Sequence, residues 1–572
     1  MLEKTWKIQK TIKPEDLVRF PEINPIVLQL LLNRGIDTQE KIDQFLLPDY
    51  GENLHDPFLF NDMEKAVKRI LRAVESKEKI VVYGDYDADG VTSTAVLTDL
   101  LDALGNKPEV YIPFRETEGY GLNEEAAQSL IKKGANLLIT VDCGISNKKE
   151  VEILMKAGVD VIVTDHHHEP AQLPEALAIL NPQLEKEKYP FKNLAGCGVA
   201  YKMAQGIIQK HQDYKVKKIE EGFEKWLLDL VAIGTIADLQ PVLDENRVLV
   251  KYGLVVLQKT KRLGLLKLIE KMSSNLTQIN ERVIGWQIAP RLNAAGRLNH
   301  ASSAYQLLIT EDAAEAEKLA EELNQTNQER QQLTEKISAE AKELLGEVKD
   351  QKILIVVGKN WPTGVVGLVS GRLTDQHHLP SLVISEYNGE IIGSGRSIPE
   401  FNIIEAVEKS DEFLSRYGGH DQACGFTLKD EKSLRNFTER MKELAEAELA
   451  GKDLKPVVEI DAKVKLEDIN WDLFDELEKF EPFGEGNLKP KFLAKGLTVT
   501  QAQTVGSDGK HMRLMVKHNG QIIRKTIGFG FGHWCDKLSE GDKVDMVFEV
   551  DVNEWNGNRE LQLKIVDLKL TN

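Results

Sequence analysis

No stretch of this 572-residue chain approaches the roughly 18 consecutive apolar residues that a membrane-spanning helix needs. The opening MLEKTWKIQK carries charges and a Trp but no apolar core followed by small residues, so no secretory signal is expected. Cysteine is scarce. Cys143, Cys197, Cys424 and Cys535 form no CxxC pair, which argues against a disulfide framework or a structural zinc site and fits reduced thiols in a cytoplasmic protein. Internal repeats and low-complexity segments are absent too. So is a basic surplus: 73 basic residues against 91 acidic ones leave a net charge of −18, which counts against a nucleic-acid partner. Two effects soften that objection. Divalent cations can neutralise a carboxylate cluster, and arginines can gather in one groove while the outer surface stays acidic.

What is present is ordinary globular composition, 42% hydrophobic and 29% charged, over a length that predicts three or four domains. Residues 1–75 read as a mixed, mostly helical segment. From Lys79 onward, short apolar runs alternate with helical stretches: Ile80–Tyr83, Glu109–Ile112, Leu137–Val141, Val159–Thr164 and Leu177–Leu180. Such runs predict a parallel sheet buried on both faces, within an α/β core over 76–245. A helical region over 246–346 ends in one long polar helix over 311–346, which reads as a connector between lobes. A second α/β lobe spans 347–452. The tail, 453–572, alternates as strands with Gly-Asn turns and predicts a small OB-like β-barrel. Its Arg513, Lys517, Lys525, Phe529, Phe531 and Trp534 mix basic and aromatic character, as single-strand-binding barrels do, although half of those aromatics belong to a core.

The sharpest feature is the position of the acids. IVVY runs into GDYDADG, setting Asp85, Asp87 and Asp89 just past a buried strand. LLITV runs into Asp142, and VDVIVT into Asp165, His166 and His167; the apolar LVAIGTIADLQPV carries Asp238. In parallel α/β sheets the ligand crevice lies beyond the carboxyl ends of the strands. Any one Asp after a strand is more often a helix N-cap, and DADG alone resembles half a calcium loop. The EF-hand reading fails, because loop position 12 is Val96 or Thr98 and not Glu. Three strand ends and consecutive histidines together predict a mixed nitrogen–oxygen site suited to Mn²⁺ or Mg²⁺, with Zn²⁺ a further option. The ligands suffice for two ions sharing one Asp, the arrangement of two-metal phosphoester hydrolysis.

GDYDADGVTS, VDCG, TDHH and GTIADLQPV together resemble the DHH phosphoesterase superfamily. RLNAAGRL (Arg291–Leu298), PTGVVGLVSGRL (Pro362–Leu373), GSGRS (Gly393–Ser397) and YGGH (Tyr417–His420) resemble its RecJ branch, single-strand-specific DNA exonucleases. The resemblance covers about residue 50 to the C-terminus. It implies a DHH core, a DHHA1-like second lobe and an OB-like tail. It implies metal ligands at Asp87, Asp89, Asp142, His166 and Asp238, with Asp142 the bridge, and His167 facing the scissile phosphate. Asp85 becomes a ligand or an orienter of ligands, and His168 an ordinary surface residue. Many relatives carry a His where this chain has Tyr83, which puts one ion's coordination in question.

In the second lobe, Ser394, Arg396, Gly418, Gly419 and His420, with Arg115 and Arg297, are implied to line the path of the strand and hold its 5′ phosphate. Planar guanidinium groups and exposed backbone N–H suit that task. The implied activity is 5′-to-3′ hydrolysis of single-stranded DNA to 5′ mononucleotides in recombination and repair. A helicase and a single-stranded-DNA-binding protein are the implied partners, and the chain is expected to be monomeric. The alternatives are the same chemistry on short RNA oligonucleotides, cyclic dinucleotides or pyrophosphate, and a non-catalytic DNA scaffold. The intact acid set argues against the scaffold.

Overall fold

The computed structural model describes residues 2–518, 522–555 and 557–571. The chain divides into two compact units. One comprises Leu54–Gln240 and Val248–Leu454; the other comprises Met1–Asn53, Pro241–Arg247 and Lys455–Asn572. Among the described residues, no helix is long and apolar enough to cross a membrane.

The first unit holds two sheets. Its larger core is a five-stranded, all-parallel sheet in the order Glu109–Tyr111, Ile80–Gly84, Leu137–Val141, Asp160–Thr164, Ala178–Leu180. Every residue of Ile80–Gly84 and of Leu137–Val141 is buried, which is why these strands read as continuous apolar runs and not as alternating ones. Three adjacent strands therefore end in register, and the residues just past them share one rim. The second sheet has the order Leu414–His420, Ala423–Leu428, Glu390–Arg396, Ser381–Tyr387, Leu354–Lys359, with only the last pair parallel.

Between the sheets in sequence runs one continuous 33-residue helix, Ala313–Leu345. It is more than the polar connector its composition suggests. Ala316, Ala320, Leu323, Asn327, Thr334, Ile337, Ser338 and Ala341 are buried, so a stripe of mostly small residues packs along its length. That stripe lies against the helices Leu263–Lys271, Ala289–Leu298 and Thr363–His377.

In the second unit, five strands close into a barrel: Phe492–Val505, His511–His518, Ile522–Gly528, Asn558–Leu570 and Lys543–Trp555, the last pairing back to the first. Three of these are long, at 14, 13 and 13 residues. The expected N-terminal segment, 1–75, is divided. Its first 53 residues pack with the barrel unit, where Thr5–Ile8 pairs in parallel with Val457–Ile460 and Val27, Leu28 and Leu31 join the barrel's core.

The barrel unit is locked to Pro241–Arg247 by one buried cation. Arg247 is 1% exposed, and its guanidinium donates to five backbone carbonyls: Phe45 (2.8 Å), Lys479 (2.7 Å), Phe480 (2.8 Å), Glu481 (2.9 Å) and Pro482 (3.3 Å). Phe45 also stacks its ring 4.0 Å from the charge. Burial, followed by the charge of Arg34, pulls the Arg247 pKa down to about 9, so it stays protonated at neutral pH. Removing it strands several buried acceptors at once. Arg247→Ala is expected to lower the stability of this unit by about 3 kcal/mol or more, measured by urea unfolding. A loss below about 1 kcal/mol would mean that the carbonyls are not held by this residue.

Candidate metal centre and phosphate cavity

Three strand ends and one helix end converge on His166. Its Nε2 lies 3.1 Å from Asp142 Oδ1, 3.6 Å from Asp238 Oδ2 and 3.8 Å from Asp89 Oδ2. Asp85, Asp89, Asp142 and His166 are all buried. Local structure aims each of them. Asp87 caps the helix Ala88–Ala103, accepting from the N–H groups of Asp89 (2.9 Å) and Gly90 (3.1 Å). Asp89 is gripped by the start of the helix Gly196–Lys210, through Gly196 N–H (2.6 Å) and Cys197 N–H (2.9 Å). Gly196 must be glycine, since a Cβ there would stand 2.7 Å from the Asp142 side chain. Asp142 holds left-handed backbone, φ 60°, a region that Asp tolerates better than most residues.

The electrostatics are those of a site short of positive charge. Burial and then neighbouring carboxylates push Asp142 and Asp238 well above the usual carboxylate range, Asp85 likewise, and Asp89 up to about 6. Burial, then His167, pulls His166 down to about 3, so its imidazole is neutral at physiological pH and has a free lone pair. Asp85 Oδ1, Asp142 Oδ1 and His166 Nε2 are buried and make no hydrogen bond among the described residues. Buried unpaired acceptors cost several kcal/mol in mutual repulsion and lost hydration unless cations compensate. Three groups have ligand atoms all within 4.8 Å of one another: Asp85–Asp87–Asp142, Asp89–His166–Asp238 and Asp142–His166–His167. Asp142 belongs to two of them. The residues fit a pair of divalent cations.

Asp165 has another task. Its Oδ1 accepts from His167 Nδ1 (2.7 Å) and from the N–H groups of His166 (2.8 Å) and His167 (3.1 Å), while Oδ2 accepts from Ile145 N–H (2.9 Å). Fully buried, it fixes the ring of His167 and the backbone of His166. The Tyr120 hydroxyl donates to the Asp142 carbonyl (3.2 Å) and reaches the His167 ring (3.1 Å). Tyr83 is buried, with its hydroxyl donating to the Gly121 carbonyl (2.9 Å), so it braces the loop carrying Tyr120. Gln240 donates to Asp238 (2.9 Å), and Asn293 accepts from Ala88 N–H (2.8 Å). Tyr120, Gln240 and Asn293 are neighbours that sequence reading missed. They lie in loops or on distant helices, without a local signal.

The acids open onto a cavity of about 310 Å³ lined by Asp85, Asp87, Asp142, His167, Asp238 and Asn293. Tyr86, Arg115, Tyr120 and Arg297 line both it and a second cavity of about 390 Å³. There Ser394 and Arg396 join Arg115 and Arg297. Arg396 donates to Ser394 Oγ (3.2 Å) and the Gly395 carbonyl (2.8 Å), Arg297 to the Gly364 carbonyl (3.1 Å), and Arg115 stacks over Tyr86. Among the described residues, none of these three guanidinium groups has a carboxylate partner. Burial and the other arginines pull the Arg297 pKa down to about 10. Gly418, Gly419 and His420 stand outside this lining, on the exposed edge strand Leu414–His420, where the His420 ring lies 6.0 Å from that of His168.

His167 titrates differently from its neighbour. Burial lowers its pKa, but the Asp165 hydrogen bond and charge outweigh that and raise it from the ordinary 6.5 to about 9. A raised folded-state pKa gives stability that is complete below 6.5 and lost as pH climbs through about 9. Asp142 and Asp238, also raised, act in the same direction, because the folded protein holds protons that the unfolded chain has released. The thermal midpoint of metal-free protein should therefore fall from pH 6.5 to about 9, and His167→Gln should flatten the slope. A midpoint that rises over that window contradicts the assignment.

Three family models match the chain: the DHH family N-terminal domain at residues 79–235, the DHHA1 domain at 350–447 and the RecJ OB domain at 460–567. The chain is 39% identical over 567 residues to the single-stranded-DNA-specific exonuclease RecJ of Bacillus subtilis (strain 168), covering 98% of this chain and 70% of that one. It is 31% identical to the same-named protein of Haemophilus influenzae, covering 95% and 96%. Crystal structures of RecJ from Thermus thermophilus are also similar. The Mn²⁺ complex matches with a TM-score of 0.84 at 29% identity, covering 99% of this chain and 80% of that one. The Mg²⁺ complex matches with a TM-score of 0.76 at 27% identity, covering 99% and 78%. With the acids, histidines and arginines placed as above, the chain belongs to the RecJ family.

Proposed function

We propose that this protein is a metal-dependent exonuclease that hydrolyses single-stranded DNA from its 5′ end, releasing 5′ mononucleotides in recombination and repair. The observation that carries this reading is the pairing of two adjoining cavities, one lined by a cluster of carboxylates and the other by Arg115, Arg297 and Arg396, which have no carboxylate partner among the described residues. Relatives named as single-stranded-DNA-specific exonucleases support the substrate. They do not favour short RNA or cyclic dinucleotides, the other substrates open to this chemistry.

In this reading Asp87, Asp89, Asp142, His166 and Asp238, with Asp85, would hold two Mn²⁺ or Mg²⁺ ions, with Asp142 common to both sets. Ions bound there would supply neutralisation of charge on the attacking and leaving oxygens of the scissile phosphate. His167, its Nδ1 held by Asp165, turns its other nitrogen to a non-bridging phosphate oxygen and offsets charge as the oxygen becomes more negative. Hydrolysis breaks the bond from phosphorus to the 3′ oxygen, leaving a new 5′ phosphate on the shortened strand. Arg115, Arg297, Ser394 and Arg396 bind the terminal 5′ phosphate one nucleotide away, and Gly418, Gly419 and His420 line the same path.

The proposed domain limits are a DHH core over 76–245, a helical region over 246–346, a DHHA1-like lobe over 347–452 and an OB-like domain over 453–572. The spans matched by the family models fall inside them. A helicase that opens duplex and a single-stranded-DNA-binding protein are the proposed partners. A monomer in the cytoplasm is the proposed state, consistent with four free cysteines.

Arg396 discriminates the end from the interior of a strand. A terminal phosphate carries more charge than an internal one, and a charge-assisted bond is worth roughly 1.5–3 kcal/mol. Arg396→Ala should slow degradation of 5′-phosphorylated strands by about tenfold or more, and that of 5′-hydroxyl strands much less. Single-turnover rates on both substrates, for parent and variant, test this. An equal loss on both ends would mean that Arg396 only follows the backbone.

A further inference from the structure

Two large apolar side chains stand in water on segments that also carry Asp238 and Asn293 to the metal cavity, and the reaction above uses neither. Trp286 is 78% exposed and Leu239 is 73% exposed. Isolated exposed apolar residues are ordinary. These two are held out by specific and unusual backbone. Leu239 directly follows Asp238 and adopts left-handed backbone, φ 56°, which costs a leucine energy that the surroundings must offset. Bonds from Leu239 N–H to the Ile236 carbonyl (3.3 Å) and from Gln240 N–H to the Thr235 carbonyl (3.2 Å) fix the turn. The turn that carries Asp238 into the acid cluster thus also leaves Leu239 in solvent.

Trp286 lies in a π-helical turn, Ile284–Ile288, inserted between Glu281–Val283 and the helix Ala289–Leu298. Wide turns of this kind are rare and concentrate at functional sites. Gly285, next to Trp286, backs onto Ile236: a Cβ built on it would lie 3.6 Å from Ile236 Cγ2. The two exposed side chains therefore sit on elements that meet two residues before Asp238. Beyond the π turn the same helix carries Asn293, which lines the metal cavity, and Arg297, which lines both cavities.

That order has a direction, given the exonuclease reading on which this inference rests. The 5′-terminal nucleotide occupies the stretch from the arginine cavity to the acids. The uncut strand then continues away from Arg297, toward the start of the helix. Asn293 and Trp286 are seven residues apart, about 10 Å at roughly 1.5 Å per residue. That is the length of about three stacked bases at roughly 3.4 Å each. An exposed indole offers a face to any unpaired base whatever its sequence, and a paired base cannot use it.

We propose that Trp286 is a nucleobase-stacking site for the uncut strand on the 3′ side of the scissile phosphate. Steady-state cleavage of a 5′-phosphorylated strand of about 20 nucleotides, compared with a 5′-phosphorylated dinucleotide too short to reach Trp286, tests it. Trp286→Ala should raise KM on the long strand about tenfold while kcat stays within about twofold, and leave the dinucleotide unaffected. Trp286→Phe should restore most of the loss, and the thermal midpoint of Trp286→Ala should match the parent's, since the side chain packs against little. A parental KM for Trp286→Ala on the long strand, or an equal loss on the dinucleotide, overturns the stacking site. A parent inactive on the long strand overturns the exonuclease reading itself.

Discussion

Everything about the catalytic unit turns on repulsion among carboxylates held where water cannot screen them. Asp89, Asp142 and Asp238 surround one neutral imidazole nitrogen within 3.8 Å, and Asp85 and Asp87 stand beside the same crevice. Left alone, such a cluster protonates or pushes itself apart. The fold instead holds it rigidly, using ladder-paired strands behind it, a helix N-terminus on Asp89 and a backbone-bonded Asp165 under both histidines. That investment in a destabilised arrangement makes sense only with cations bound. It also explains how a chain of net charge −18 handles a polyanion, because the ions and the adjoining arginines create a positive path inside an acidic surface.

The same rim separates two kinds of phosphate recognition. Carboxylates and cations suit the phosphate that reacts, whose oxygens gain charge in the transition state. Guanidinium groups suit the phosphate that only needs to be recognised, since they are fixed in charge and bidentate in geometry. Arg115 and Arg297 line both cavities, so in the proposed reading recognition of the end and placement of the cut would share residues. A strand held at both points would present its first internucleotide bond, and no other, to the acids.

Much of this was legible in the sequence because parallel sheets leave a strong trace. Buried strands appear as unbroken apolar runs, and an acid immediately after each run must lie on the rim. Asp85, Asp87, Asp142, His166 and His167 follow the strand ends directly, Asp89 lies one helical turn on, and Asp238 arrives on the end of the helix Leu228–Ala237. Less legible were residues whose place depends on long-range packing. Asp165 reads as one more acid of the motif, but backbone N–H groups turn it inward. Tyr83, where the family resemblance led us to expect a His, turns its hydroxyl to the Gly121 carbonyl. The helix Ala313–Leu345 hides its packing face in Ala, Thr and Ser, which are too small or too polar to show as an amphipathic stripe. The pairing of Thr5–Ile8 with Val457–Ile460 spans most of the chain and has no local signature.

The most direct test of this account is the number of Mn²⁺ ions that the full chain binds, measured by calorimetric titration and checked by electron paramagnetic resonance. Two ions per chain, close enough to couple magnetically, are expected, together with loss of the coupled signal in Asp142→Asn protein that remains folded. A single uncoupled ion in the parent, or an unchanged coupled pair after Asp142 is replaced, would contradict the claim that the buried acids exist to hold two bridged cations.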